Sequence, residues 1–197
     1  MIKYQNHMIK SLMNGFILRR VLMSRIEHIK WSLAFVHRAL RDACNGTNEQ
    51  IHFVPDFGSH SIAWCLWHTT RVEDMIVNVR IKETEPIWNE EWAQKTGLPF
   101  DGNGNGQSDD DAQKVTITSM ENFIKYQELV WDSTAELLDQ LTDEDLSKEV
   151  KARNGTEQID ESISLHMLGH FNGHRGEMNF LRGMQGMDPL LVREGTH

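Results

Sequence analysis

Cysteine is nearly missing. Cys44 and Cys65 are the only two in 197 residues, so no framework of several disulfides can hold the fold, and both thiols are read as reduced. Proline is scarce as well, at 4, which excludes collagen-like and proline-rich disordered chains. No apolar run approaches the ~18 residues of a membrane span. The start of the chain, Met1 to Arg20, is broken by Lys3, Lys10, Asn14 and Arg19, so a cytoplasmic protein is expected. Positive charge is also short. Lys and Arg number 20 against 29 Asp and Glu, giving a formal net charge of -9. A surface of that sign repels phosphate backbones and anionic lipid faces, so neither nucleic acid nor membrane is an expected partner.

What is present is globular: 39% hydrophobic and 25% charged residues, in a length suited to one domain. Leu22, Ile26, Ile29, Leu33, Val36 and Leu40 recur four and three apart, the stripe of a helix packed on a bundle core. Asn45-Gly46 stops it. Ser59 or Ser61 can cap a second helix through Trp64, Leu66, His68, Val72, Ile76 and Val79, closed by Glu85-Pro86. From Pro86 to about Asp111 the pattern is lost in a long loop, which Trp88 and Trp92 are expected to pin. A third helix carries Met120, Phe123, Ile124, Val130, Trp131, Leu137, Leu138 and Leu141. After a polar stretch from Thr142 to Thr156, a last helix spans about Asp160 to Gly183. No convincing alternating strand is seen. The expected architecture is an all-α four-helix bundle over residues 22–186, with an N-terminal extension, 1–21, and a C-terminal tail, 187–197.

Ten histidines are present, and three form His166-x3-His170-x3-His174. Neighbours four apart differ by only ~40° around a helix axis, so the three make a ridge that Glu177 continues. A pair at i and i+4 can present two imidazole nitrogens to one metal, and bundle cores build such sites from facing helices. His68, inside a strongly apolar helix, is the best candidate for a further ligand. His7, His28, His37, His52, His60 and His197 are read as termini, caps or polar faces. Spacing alone does not separate ligands from hydrogen-bonded core histidines.

Two motifs are more specific. The string Ser61-Ile62-Ala63-Trp64-Cys65-Leu66-Trp67-His68-Thr69-Thr70-Arg71-Val72-Glu73-Asp74 resembles the second-helix motif of the DinB-like superfamily. His170-Phe171-Asn172-Gly173-His174-Arg175-Gly176-Glu177, followed by Leu181-Arg182-Gly183, is similar to that family's His-x3-His-Arg-Gly-Glu/Gln signature. Trp88-x3-Trp92-Ala93 and Gly97-Leu98-Pro99 look like the long loop of one branch. The resemblance covers about Leu22 to Gly186. It implies a four-helix bundle with a long loop between helices two and three, and zinc, or alternatively nickel, held by His68, His170 and His174. His166 falls outside the motif and is read as a pocket-mouth neighbour or a packed core residue. Family members include bacillithiol- and mycothiol-dependent S-transferases and a mycothiol-dependent isomerase.

Three neutral imidazoles leave a metal an open position, as in catalytic sites. Beside a cation a thiol loses its proton well below its free pKa of ~8.5; water could be activated instead. Glu177 is a candidate to orient a ligand or move a proton, and Arg71 to meet an anionic co-substrate, with an ion pair as the alternative for each. Cys65 is read as a small buried residue. Asp101-x-Asn103-x-Asn105-Gly106 copies the opening of a calcium loop, but its twelfth position is Ala112, so it is read as a flexible acidic loop. The expected function is a metal-dependent thiol S-transferase acting on a small electrophile, with a low-molecular-weight thiol as partner and homodimerisation left open. The alternatives are a non-catalytic metal or small-molecule binding stress protein, a hydrolase using activated water, and an interaction bundle with structural histidines.

Overall fold

The computed structural model describes residues 23–58 and 60–190. The expectations placed on 1–21, Leu22, Ser59 and His197 lie outside them. Four long helical elements form the bundle, as the sequence predicts. Helix α1 (Arg25–Ala43) starts at a capping box: the Ser24 hydroxyl accepts from Glu27 N and the Glu27 carboxylate accepts from Ser24 N. Its predicted stripe, Ile26 through Leu40, is buried.

Helix α2 (Ile62–Asp74) is capped by Ser61, whose hydroxyl accepts from Trp64 N. Every residue of α2 is buried, so it is the interior helix and its polar groups need internal partners. Thr69 and Thr70 donate back to the carbonyls of Cys65 and Leu66. Glu73 takes bonds from Thr134 and His37, and Asp74 takes bonds from Asn78, Ile87 N, Trp88 N and Tyr126. The helix continues as a π-helical segment, Met75–Ile81.

Helix α3 (Met120–Gln140) buries Phe123, Tyr126, Gln127, Val130, Leu137 and Leu138. The last element, α4, runs as Ile159–Ile163, a π-helical segment Ser164–Gly169, and His170–Met184. Packing continues past Gly186: Leu190 is buried and its N–H donates to Asn179.

Two local expectations are corrected. The stretch after α3 holds an antiparallel hairpin, β1 (Glu149–Ala152) with β2 (Gly155–Gln158), paired from Glu149↔Gln158 to Ala152↔Gly155. The long loop is also less irregular than its sequence suggests. It contains short helices Glu90–Thr96 and Asp109–Ala112, the first capped by Asn89 and stopped by Gly97 at φ 75°. Within it Trp88 is buried, donates through Nε1 to Phe100 O at 3.0 Å, and packs on Tyr126. Trp92 also meets the Tyr126 ring, so both tryptophans reach the core from the loop.

No helix among the described residues is long and apolar enough to cross a membrane.

Candidate metal centre

α2 and the last segment of α4 face each other, and that pairing brings His68 to His170 and His174. His68 Nε2 lies 3.0 Å from His170 Nε2, and His174 Nε2 lies 2.9 Å from the same atom. The three rings meet nearly edge to face, at interplanar angles of 76–86°. All three candidate ligand nitrogens lie within 4.8 Å of one another.

The far side of each ring is anchored. His68 Nδ1 donates to the Asn103 carbonyl. His174 Nδ1 donates to Glu177 Oε2 at 2.8 Å. The His170 ring has the His166 carbonyl as its acceptor. Because a carbonyl or carboxylate can only accept, these bonds place the proton of His68 and of His174 on Nδ1 and leave bare Nε2 lone pairs aimed inward. His170 Nε2 has one proton at most and cannot satisfy both neighbours. The donor set is therefore short of positive charge at its centre and fits a cation. Two nitrogens at 2.0–2.1 Å in tetrahedral array would stand about 3.3 Å apart, close to the spacing observed.

Burial strengthens this state. It pushes the His68 pKa down to about 4, with the neighbouring His174 and His170 adding to the effect. His170 falls to about 4 through burial and His174. Both rings are neutral at physiological pH, as ligands must be.

Glu177 is held from two sides, by His174 and by His60 Nδ1 at 2.7 Å. Burial works against its ionisation, but these two hydrogen bonds outweigh it and keep the carboxyl well below the usual range. Cys65 lies close to the same carboxylate, and Cys65, His174 and Glu177 form the second cluster of potential ligand atoms among the described residues. Burial and then Glu177 raise the Cys65 thiol far above its ordinary value, so it stays protonated.

Arg71 is not brought to the histidines. It is buried, with Nη1 3.4 Å from Asp74, Nη2 donating to Gly102 O at 3.3 Å, and its guanidinium over Trp88. These contacts hold the loop whose Asn103 carbonyl anchors His68. His166 is exposed and 3.2 Å from Glu157, at the mouth of a neighbouring cavity.

Two features escaped the sequence reading. His60, taken there for a cap or polar face, stacks on Trp64 at 3.5 Å between centroids and reaches Glu177. The loop read as flexible and acidic lies directly on the site: at Gly104, φ 94°, a Cβ would come within 2.9 Å of His68 Nδ1 and of Trp64. Trp64 closes this side, stacked on His68 and donating from Nε1 to Gln107 at 2.8 Å.

The sequence pattern of the DinB superfamily matches residues 28–178. The fold is similar to the crystal structure of a conserved protein from Enterococcus faecalis. Its TM-score is 0.70 at 19% identity, over 81% of this chain and 96% of that one. Comparison with curated proteins gives no match.

Proposed function

We propose, because this chain belongs to the DinB superfamily, that His68, His170 and His174 hold zinc, or nickel in its place, in a centre that transfers a low-molecular-weight thiol to a small electrophile. The observation that carries the metal assignment is the convergence of three Nε2 atoms whose rings are each fixed from behind. Such a cation, when bound, lowers the pKa of a thiol at its open position and so supplies the nucleophile.

The chain's own groups do the positioning. Asn103 and Glu177 fix ring orientation and tautomer, the role that outer partners of metal-bound histidines commonly play. Both Glu177 oxygens are engaged, one by His60 and one by His174, which favours orientation over proton transfer as its task. Trp64 shields one side of the cluster from water. Arg71 acts through the loop rather than on an anionic co-substrate.

Metal analysis of untagged protein tests the first part. About one ion per chain is expected, with sharp loss in His68→Ala, His170→Ala or His174→Ala; full stoichiometry and affinity in His68→Ala would overturn the site. Cobalt substitution tests the second part. Bacillithiol, mycothiol, glutathione or cysteine should add a sulfur charge-transfer band that is absent in His170→Ala. If no thiol perturbs the spectrum at millimolar concentration, sequestration or water activation replaces transfer.

A further inference from the structure

A cavity of about 580 Å³ opens beside His170, within the roughly 300–1,000 Å³ range of small-molecule sites. Its two sides come from the two π-helical segments: Met75, Ile76 and Arg80 from one, Leu165 and His166 from the other. π-helical turns are uncommon and occur often at functional sites. Here both interruptions face one space.

The chemistry of the walls is divided. Val72, Met75, Ile76 and Leu165 give an apolar side, and Met75 and Leu165 remain 36% and 64% exposed. On the polar side Arg80 is paired with Glu157 and lies 3.3 Å from Ser162, while His166 meets the other Glu157 oxygen at 3.2 Å. Opposite charges side by side cancel. An anion approaching Arg80 meets the Glu157 carboxylate, and a cation approaching Glu157 meets the guanidinium. An uncharged hydrogen-bonding group suits Arg80, whose charge Glu157 already offsets, and the Asn103 and Asn105 that share the lining.

We propose that this cavity binds an uncharged amphipathic small molecule, its apolar body on Met75 and Leu165, its hydrogen-bonding end at Arg80, whose charge Glu157 offsets, and its reacting end at His170. This names the class of the electrophile. Only the assignment of a reacting end rests on the metal reading above; occupancy of the cavity does not.

The test uses two fluorescent probes with one skeleton, N-phenyl-1-naphthylamine, which is neutral, and its sulfonate, 1-anilinonaphthalene-8-sulfonate. The full chain should bind the neutral probe saturably and more tightly than the anionic one. Leu165→Asp and Met75→Asp alter exposed side chains, so the fold tolerates them, and each should weaken the neutral probe by roughly tenfold or more while retaining metal. Phe180→Asp, exposed outside the cavity, should leave binding unchanged. His68→Ala should lose metal and keep the probe, so a failure of the metal site and a failure of the cavity read differently. Absence of saturable binding, full binding in both cavity variants, or preference for the sulfonate would overturn the proposal.

Discussion

The hydroxyl of Tyr126 donates to Oδ2 of Asp74 at 2.9 Å, and solvent reaches neither residue. The same carboxylate accepts from Trp88 N, Ile87 N and Asn78 Nδ2, each at 2.9 Å. One side chain on α2 thereby ties α3 and the start of the long loop to the interior helix. Burial, followed by the Asp74 charge, drives the Tyr126 pKa well above its ordinary value, so the phenol remains a donor. Tyr126→Phe leaves one acceptor site unmet and should cost about 1–3 kcal/mol. Asp74→Ala orphans several buried donors at once and should cost more, about 3–5 kcal/mol. Urea unfolding measures both, and equal midpoints for wild type and Asp74→Ala would contradict this account.

Gly104 should be intolerant of a side chain for a reason specific to the metal centre. Its φ of 94° is one L residues rarely adopt, and an added Cβ would press on His68 Nδ1 and Trp64. The loop must then retreat, taking the Asn103 carbonyl from His68. Gly104→Ala is expected to weaken metal binding about 10–100-fold, the usual consequence of losing an outer anchor. Gly106→Ala carries the same kind of backbone strain, at φ 75°, but meets no neighbour within 4 Å, so it is the control for strain without the contact on His68. Competition against a chelator distinguishes them.

The two thiols should be silent in the folded protein. Both cysteines are free and buried. Burial pushes Cys44 up to about 12, with Arg41 opposing, and Cys65 is raised further by Glu177. A disulfide reagent at pH 8 should label neither thiol until urea is added, then both. The linkage has a definite sign: the unfolded Cys44 ionises near 9.0 and the folded one near 12. The stability from keeping it protonated is thus complete below pH 9 and is lost as pH rises from 9 towards 12. Rapid labelling of native protein would show that the segment around Cys44 opens.

A chain beginning at Met23 is expected to fold with an unchanged melting temperature. Ser24 and Glu27 close the first helix between themselves, and the family match begins at residue 28. A drop of several degrees would mean that residues before Met23 contribute to the packed domain.

The sequence made the bundle legible where the signal is local. Ile26, Ile29, Leu33, Val36 and Leu40 fall on one helix face whatever surrounds them, and Ser61 announces the start of α2 by its own hydroxyl. The spacing of His170 and His174 is likewise carried by a single helix. Other features depend on tertiary placement. His60 reaches Glu177 across 117 positions of chain. The acceptor behind His68 is a main-chain carbonyl, which every residue type possesses, so Asn103 carries no mark of its role. In the hairpin β1 alternates polar and apolar residues, but over four positions only and with Val150 and Ala152 half-buried, and β2 carries no apolar side chain, so the pattern is too short to be read as strands.

The burial of α2 on all sides gives the proposed centre one fixed jaw and one adjustable jaw. His68 stands on an element whose amides should exchange with solvent only when the whole molecule unfolds. His170 and His174 follow directly after a π-helical stretch in which Ser164, Leu165, His166 and Gly169 are exposed, a segment suited to local opening. Any change of grip on an ion should therefore travel along the last helix, and hydrogen exchange followed with and without metal should show protection gained there first.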